Sequence, residues 1–147
     1  MANKTLPGIK SVEYCEASQA AIVCRGLYNS QTANVWNELK QLPIIGQGRM
    51  EISESAATGE VIYSSKITFN IPDCSESEAI KNEIISNDCC FVITDMIGNR
   101  KLIGMDRKPH PVVTVNYLNE ETPAGKILYA VEITHTNNIP PVTITNL

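Results

Sequence analysis

Residues 61–104, VIYSSKITFNIPDCSESEAIKNEIISNDCCFVITDMIGNRKLIG, decide the fold of this chain. Apolar and polar side chains alternate over residues 61–71, which predicts a strand with one face on a core and one face in water. Pro72 ends that strand, because proline has no N–H to donate to a ladder. Residues 75–86 open with the S-x-x-E pattern of a helix capping box and predict an amphipathic helix that lies on one face of a sheet.

A second strand follows the helix. Residues 89–95 are apolar nearly throughout, which is typical of a central strand covered on both sides, and we expect the helix to cover one of them. Gly98-Asn99 then supplies a turn that accepts positive φ. The apolar pair Leu102-Ile103 returns, so residues 89–104 predict a hairpin.

The flanking sequence predicts more strands. They fall at residues 9–15, 20–24, 49–54, 112–118 and 127–136. Residues 57–60 are expected to form a hairpin loop of several residues, and residues 46–48 a flexible joint. Residues 142–147 are either a last edge strand or a tail that docks elsewhere. The fold class is therefore mainly β (α+β), an antiparallel β-sandwich or open barrel with one flanking α-helix at residues 75–86.

Residues 32–42 predict an additional short helix. Val35, Trp36, Leu39 and Leu42 share one face at helical spacing. Thr32 is a suitable cap, and Pro43 would end the segment.

Length and charge limit the classes of function. A chain of 147 residues is most simply a single domain over 1–147, with an N-terminal arm at 1–8 and a C-terminal tail at 141–147. The net charge of −4 and the lack of any Lys/Arg run argue against specific nucleic-acid binding. Residues 1–8 lack the apolar stretch of a signal peptide, and no run is long enough to span a bilayer, so we expect synthesis in a cytosol and no membrane contact.

The histidines and serines do not form a recognisable catalytic motif. There is no G-x-S-x-G elbow. His110 lies between two prolines and has no obvious carboxylate partner in sequence. His135 continues the inward-facing series of residues 127–133 and is expected at the rim of the strand.

The cysteines and aspartates are also expected to be structural. None of the five cysteines forms C-x-x-C, and free buried thiols are expected without an export signal. Cys89 and Cys90, between Asp88 and Phe91, are expected to be buried with a raised pKa. Asp95 and Asp106 flank the hairpin and are expected to bond their own backbone. The sequence thus predicts no catalytic residue, no cofactor site and no metal site, and the chain is interpreted as not an enzyme.

A series of features along the chain carries a family resemblance. The series consists of residues 59–63, 67–72, 75–86, 91–95, 98–104, 111–113, 129–133 and Pro140-Pro141. It resembles the small virion proteins of tailed bacteriophages and prophages of Bacteroidetes hosts, including the crAss-like group. The region from Met50 to Pro141 that holds these segments spans about three fifths of the chain. The resemblance is a pattern of strand, helix and turn residues and leaves the first 45 residues unmatched.

The resemblance implies a non-enzymatic building block of the tail, neck or head–tail connector. Such a subunit would be made in the bacterial cytoplasm and would assemble into a homo-oligomeric ring or tube within the virion, beside neighbouring virion proteins. The passage of DNA would be passive. A β-sandwich binding module at a tail tip or host surface remains an alternative, and a small hydrolase is a further one.

Overall fold

The computed structural model describes residues 3–5, 8–19, 22–25, 32–35, 39–57, 59–72, 75–104, 110–119, 127–137 and 140–144. Within these ranges there are twelve β-strands, one α-helix, α1 (Ser75–Ser86), and a 3-10 turn at Ala17–Gln19. The strands are β1 (Asn3–Thr5), β2 (Ile9–Glu16), β3 (Ile22–Arg25), β4 (Thr32–Val35), β5 (Lys40–Gln41), β6 (Ile45–Ala57), β7 (Glu60–Pro72), β8 (Cys89–Asp95), β9 (Arg100–Ile103), β10 (Val112–Asn119), β11 (Ile127–Asn137) and β12 (Val142–Ile144). The predicted fold class, mainly β with a helix at 75–86, is confirmed.

The strands form two groups joined at one point. Sheet A has the order β10-β11-β7-β6, with β1 also on β6. Sheet B has the order β2-β8-β9-β12-β4-β3, with β5 also on β2. Between the described parts of the two sheets, the strand pairing is the single match of Ile9 with Gly48. Because buried side chains from β2, β6, β7, β8 and β11 meet in one cluster, the two sheets pack as an open sandwich.

Strand β8 separates two apolar clusters. Cys89, Phe91 and Ile93 face the larger cluster, the main core, between the sheets. Cys90 and Val92 face the smaller one, the second core, with side chains from β4, β9 and β12. The prediction that residues 89–95 are covered on both faces is confirmed.

Helix α1 covers part of the main core through a narrower surface than the sequence indicates. Ile84 is buried there, and Ile80 packs against it. Ala79 and Ile85 are exposed, although both are apolar. The side chains of residues 75–77, including the first half of the predicted capping box, lie outside the described part.

Two glycine-containing segments differ from expectation. In the β6–β7 hairpin Ala57 pairs directly with Glu60, so the loop is tighter than predicted, and Gly59 has a φ of +82°. The predicted joint at residues 46–48 lies inside β6, where the register with β7 shifts between Ile45 and Arg49. A Cβ on Gly48 would lie 3.1 Å from the Cβ of Phe69, so a larger residue here would have to displace its neighbours by a few tenths of an ångström.

The helix predicted at residues 32–42 is wrong. Thr32–Val35 is β4, which pairs with β3, and Lys40–Gln41 is β5, which pairs with β2. Val35 is buried in the second core and Leu42 in the main core. The two side chains therefore do not lie on one common face, although their spacing in sequence fits a helix. β-branched Thr32 and Val35 suit a strand, and tertiary pairing overrode a weak local preference.

Both terminal segments contribute strands to the chain's own sheets. Asn3–Thr5 of the predicted arm pairs with β6. Val142–Ile144 of the predicted tail lies between β9 and β4, antiparallel to the first and parallel to the second. Of the segment 142–147, expected to be an edge strand or a tail that docks elsewhere, residues 142–144 form an interior strand, so the edge position is wrong. Residues 1–2, 6–7 and 145–147 lie outside the described part. The single-domain assignment stays a prediction.

Candidate assembly edge

Strand β10 is the longest unpaired sheet edge among the described strands. One side of it pairs with β11 over all eight residues, from Val112 opposite Thr134 to Asn119 opposite Ile127. The structure describes no strand on its other side. The strand at the other end of the order, β3, has four residues. An unpaired edge exposes backbone N–H and C=O groups that another strand can bind.

The sequence of β10 leaves this edge unprotected. Its residues, VVTVNYLN, include neither a charged side chain nor a proline, the usual devices against pairing with another chain. The register with β11 runs without a bulge. Val112 and Tyr117 are 62% and 55% exposed, although both are large and apolar. The edge therefore has the properties of a strand that accepts a partner.

The side chains on the inner face of β10 reach the main core. Val113 and Val115 pack against the main core but are only half-buried. The ring of Tyr117 meets that of Tyr129 edge-on, with centroids 5.5 Å apart. Helix α1 contacts β10 on this side of the sheet, with Lys81 over the ring of Tyr129, so the main core reaches this edge strand.

The charged pairs found on sheet A lie on the other strands. Arg49 is paired with Glu51 within β6. Lys66 of β7 lies 3.5 Å from Glu132 of β11. Since β10 carries no charge, an incoming strand would meet a neutral surface and would not have to desolvate an ion pair.

His110 does lie near a carboxylate, which the sequence did not indicate. Its Nε2 is 3.9 Å from Asp88 Oδ2, beside a pocket of about 450 Å³ that Ser18 and Ser86 also line. A Ser-His-Asp triad needs one imidazole nitrogen on the carboxylate and the other on the serine. Here the second nitrogen, Nδ1, is buried and has no hydrogen-bond partner among the described residues. The geometry therefore does not build a triad.

The remaining candidate residues are placed as follows. His135 is half-buried near the end of β11, opposite Ser65 of β7. Burial, with nearby negative groups, raises the pKa of Cys89 to about 12, as the sequence predicted. Asp95 Oδ1 accepts hydrogen bonds from three N–H groups of its own turn, also as predicted. Asp106 lies outside the described residues.

Within the described ranges, no group of three or more His, Cys, Asp or Glu side chains is arranged to hold a metal ion. The described helix is not long and apolar enough to cross a membrane. Comparison of the chain with known protein families, with curated proteins and with solved structures finds no match.

Proposed function

We propose that this chain is a non-enzymatic structural subunit that assembles with copies of itself through its sheet edges. The observation that carries the proposal is the long, uncharged and unpaired edge of β10. The sequence resemblance supports a place in the tail, neck or head–tail connector of a tailed-phage virion, where neighbouring virion proteins would be further partners.

The two ends of the strand order suit a head-to-tail contact. β10 ends sheet A, and β3 ends the path through sheet B. Pairing β10 of one copy with β3 of the next uses two different surfaces, and repetition of such a contact gives a closed ring or an open tube. The net charge of −4 on each copy would multiply around the ring and repel the phosphates of DNA passing through it.

The test introduces charge at the edge. A Thr114→Lys/Asn116→Lys variant changes two exposed positions of β10, where lysine opposes strand addition. Light scattering over a range of concentrations should give a ring-sized mass for the natural chain and a monomer mass for this variant. Circular dichroism checks that the variant keeps its strand content.

A matched control carries the same added charge elsewhere. Gln41→Lys/Asn99→Lys changes two exposed positions outside sheet A, on β5 and in the β8–β9 turn, and it should assemble like the natural chain. A natural chain that stays monomeric at every concentration would refute self-assembly. An edge variant as large as the natural chain would refute the role of β10.

A groove on the outer face of sheet A supports a second candidate, a binding module. It encloses about 210 Å³ and is lined by Arg49, Asn70, Asn116 and Glu132 among others. Guanidinium, amide and carboxylate groups suit a polar ligand such as a carbohydrate of a host surface. Two results together would favour this function over the structural one. The natural chain would bind a glycan as a monomer, and the variant Asn70→Ala/Asn116→Ala would lose that binding.

A further inference from the structure

Cys15 and Cys90 lie directly opposite each other on neighbouring strands. They form one register pair of the antiparallel β2–β8 ladder. Cys90 is buried in the second core, and Cys15 packs against the same cluster, so both side chains are on one face. A register pair on one face of an antiparallel ladder places the two side chains next to each other.

The two thiols differ in access. Cys15 is half-buried, whereas Cys90 is completely buried. The hydrogen bond with Cys90 lowers the pKa of the Cys15 thiol, against the opposing effect of burial. The thiolate is the reactive form of cysteine, so Cys15 is the one that a soluble oxidant would meet first.

We propose that Cys15 and Cys90 are a redox pair that a peroxide converts into a cross-strand disulfide. The Cys15 thiolate attacks a peroxide oxygen, the O–O bond breaks, and a sulfenic acid and water are formed. The Cys90 thiol then attacks the Cys15 sulfur, and the sulfenic hydroxyl leaves as a second water. Two thiols lose two electrons, and one hydrogen peroxide is reduced to two waters.

Strand geometry allows the bond. Opposite residues in an antiparallel ladder have Cα atoms about 4.5–5.5 Å apart, within the range of about 4.4–6.8 Å found in disulfides. Their Cβ atoms must approach by at most about 1 Å. A disulfide formed under that constraint is readily reduced, so the pair would act reversibly. It would tie β2 to β8 near the last pair of their ladder, Glu16 with Cys89.

Cys89 is the internal control. It is adjacent to Cys90 in sequence but points into the main core, on the opposite face of β8. Its raised pKa makes it a poor nucleophile. Oxidation of the pair should therefore be selective for the two positions that share a face.

The experiment treats the full chain with hydrogen peroxide, alkylates the remaining thiols under denaturing conditions and measures the intact mass. The expected product has two fewer alkylatable thiols and, before alkylation, a mass about 2 Da lower. Cleavage after glutamate releases a peptide of residues 14–16, which separates Cys15 from Cys24. That peptide should be found linked to the peptide containing Cys90, and dithiothreitol should release it.

Conservative variants complete the test, which is independent of assembly because it reads only covalent linkage. Cys15→Ser and Cys90→Ser should each lose the linked peptide, and Cys89→Ser should keep it. If the peptide of residues 14–16 remains unlinked after peroxide treatment of the natural chain, the proposal is overturned. A cross-link that persists in Cys15→Ser would overturn it as well.

Discussion

The hydroxyl of Tyr14 donates a hydrogen bond of 3.0 Å to Oε2 of Glu83, and so connects β2 to α1. The other carboxylate oxygen, Oε1, lies 2.8 Å from Nζ of Lys40 on β5. Glu83 thus holds the helix to two strands of sheet B, in addition to the apolar contact of Ile84. Tyr14 is almost completely buried, so its hydroxyl depends on this partner.

Removal of that hydroxyl should destabilise the chain. Tyr14→Phe takes away a hydrogen bond to a charged acceptor, so the free energy of unfolding should fall by about 1–2 kcal/mol in urea titrations. Tyr63→Phe removes the same atom from a half-buried tyrosine on β7. This control should change the free energy of unfolding by less than about 0.5 kcal/mol. Equal losses in the two variants would contradict the role of the Tyr14–Glu83 bond.

Stability should fall in acid partly because of Glu83. The hydrogen bond from Lys40 is the main cause that holds the pKa of Glu83 below its ordinary value of 4.5; the bond from Tyr14 adds to it, and burial opposes it. The Glu83 carboxylate therefore takes up its proton at a higher pH in the unfolded chain than in the folded chain. As a result, the free energy of unfolding decreases as the pH falls through and below the ordinary pKa of glutamate.

Glu83→Gln should weaken this pH dependence. Its stability deficit relative to the natural chain should be largest near about pH 7 and should narrow towards about pH 3. Urea midpoints over that interval measure the effect. Glu54→Gln, an exposed position on β6, makes the same charge change and should keep the natural slope. A deficit of Glu83→Gln that is constant with pH would count against this account.

The turn between β8 and β9 depends on one carboxylate. Asp95 Oδ1 accepts the N–H groups of Ile97, Gly98 and Asn99 at 3.0, 2.9 and 2.9 Å. Asp95→Ala leaves these donors without that acceptor and should lower the free energy of unfolding by about 1–2 kcal/mol, as loss of a helix cap does. Asp88→Ala, at an exposed position before β8, should have a smaller effect in the same thermal or urea titration. The reverse order would contradict the prediction.

An isosteric substitution tests the burial of β8 on its second face. Val92 is fully buried in the second core, so Val92→Thr places a hydroxyl there and should cost about 1–3 kcal/mol in urea titrations. Val61→Thr makes the same change at a residue that is 45% exposed and should be nearly neutral. Similar stabilities of the two variants would show that the second core admits water.

The sequence predicted those helices and strands whose limits are defined by features close by in the chain, such as a proline, a turn or a regular period. Residues 75–86 are helical as expected, and burial alternates over residues 65–71, whereas Val61, an apolar residue of the same predicted strand, is 45% exposed. Helical periodicity and charge predict that Lys81 and Glu83 face water. In the structure Lys81 Nζ lies 4.5 Å from the centre of the Tyr129 ring, and Glu83 binds Tyr14 and Lys40. These partners lie far away in sequence, so helical periodicity carries no information about them.

The candidate edge was beyond the reach of the sequence for a related reason. The uncharged composition of residues 112–119 fits an interior strand as well as an edge. The order of the described strands is what shows that none of them pairs with the second side of β10. The same order placed Val142–Ile144 inside sheet B, where its apolar side chains reach the second core. Strand order depends on contacts between distant segments, which a single sequence does not encode in any local pattern.

The interior position of β12 has a consequence for how the chain matures. β12 pairs with β4 on one side and β9 on the other, and it is synthesised after every other described strand. The β3–β4 hairpin, although made early, joins the sheet through β12. The pairing of β4 with β12 therefore joins segments that lie more than 100 residues apart, Thr32–Val35 and Val142–Ile144. Such late, long-range closure slows folding and prolongs the exposure of unpaired strands to chaperones and to other copies.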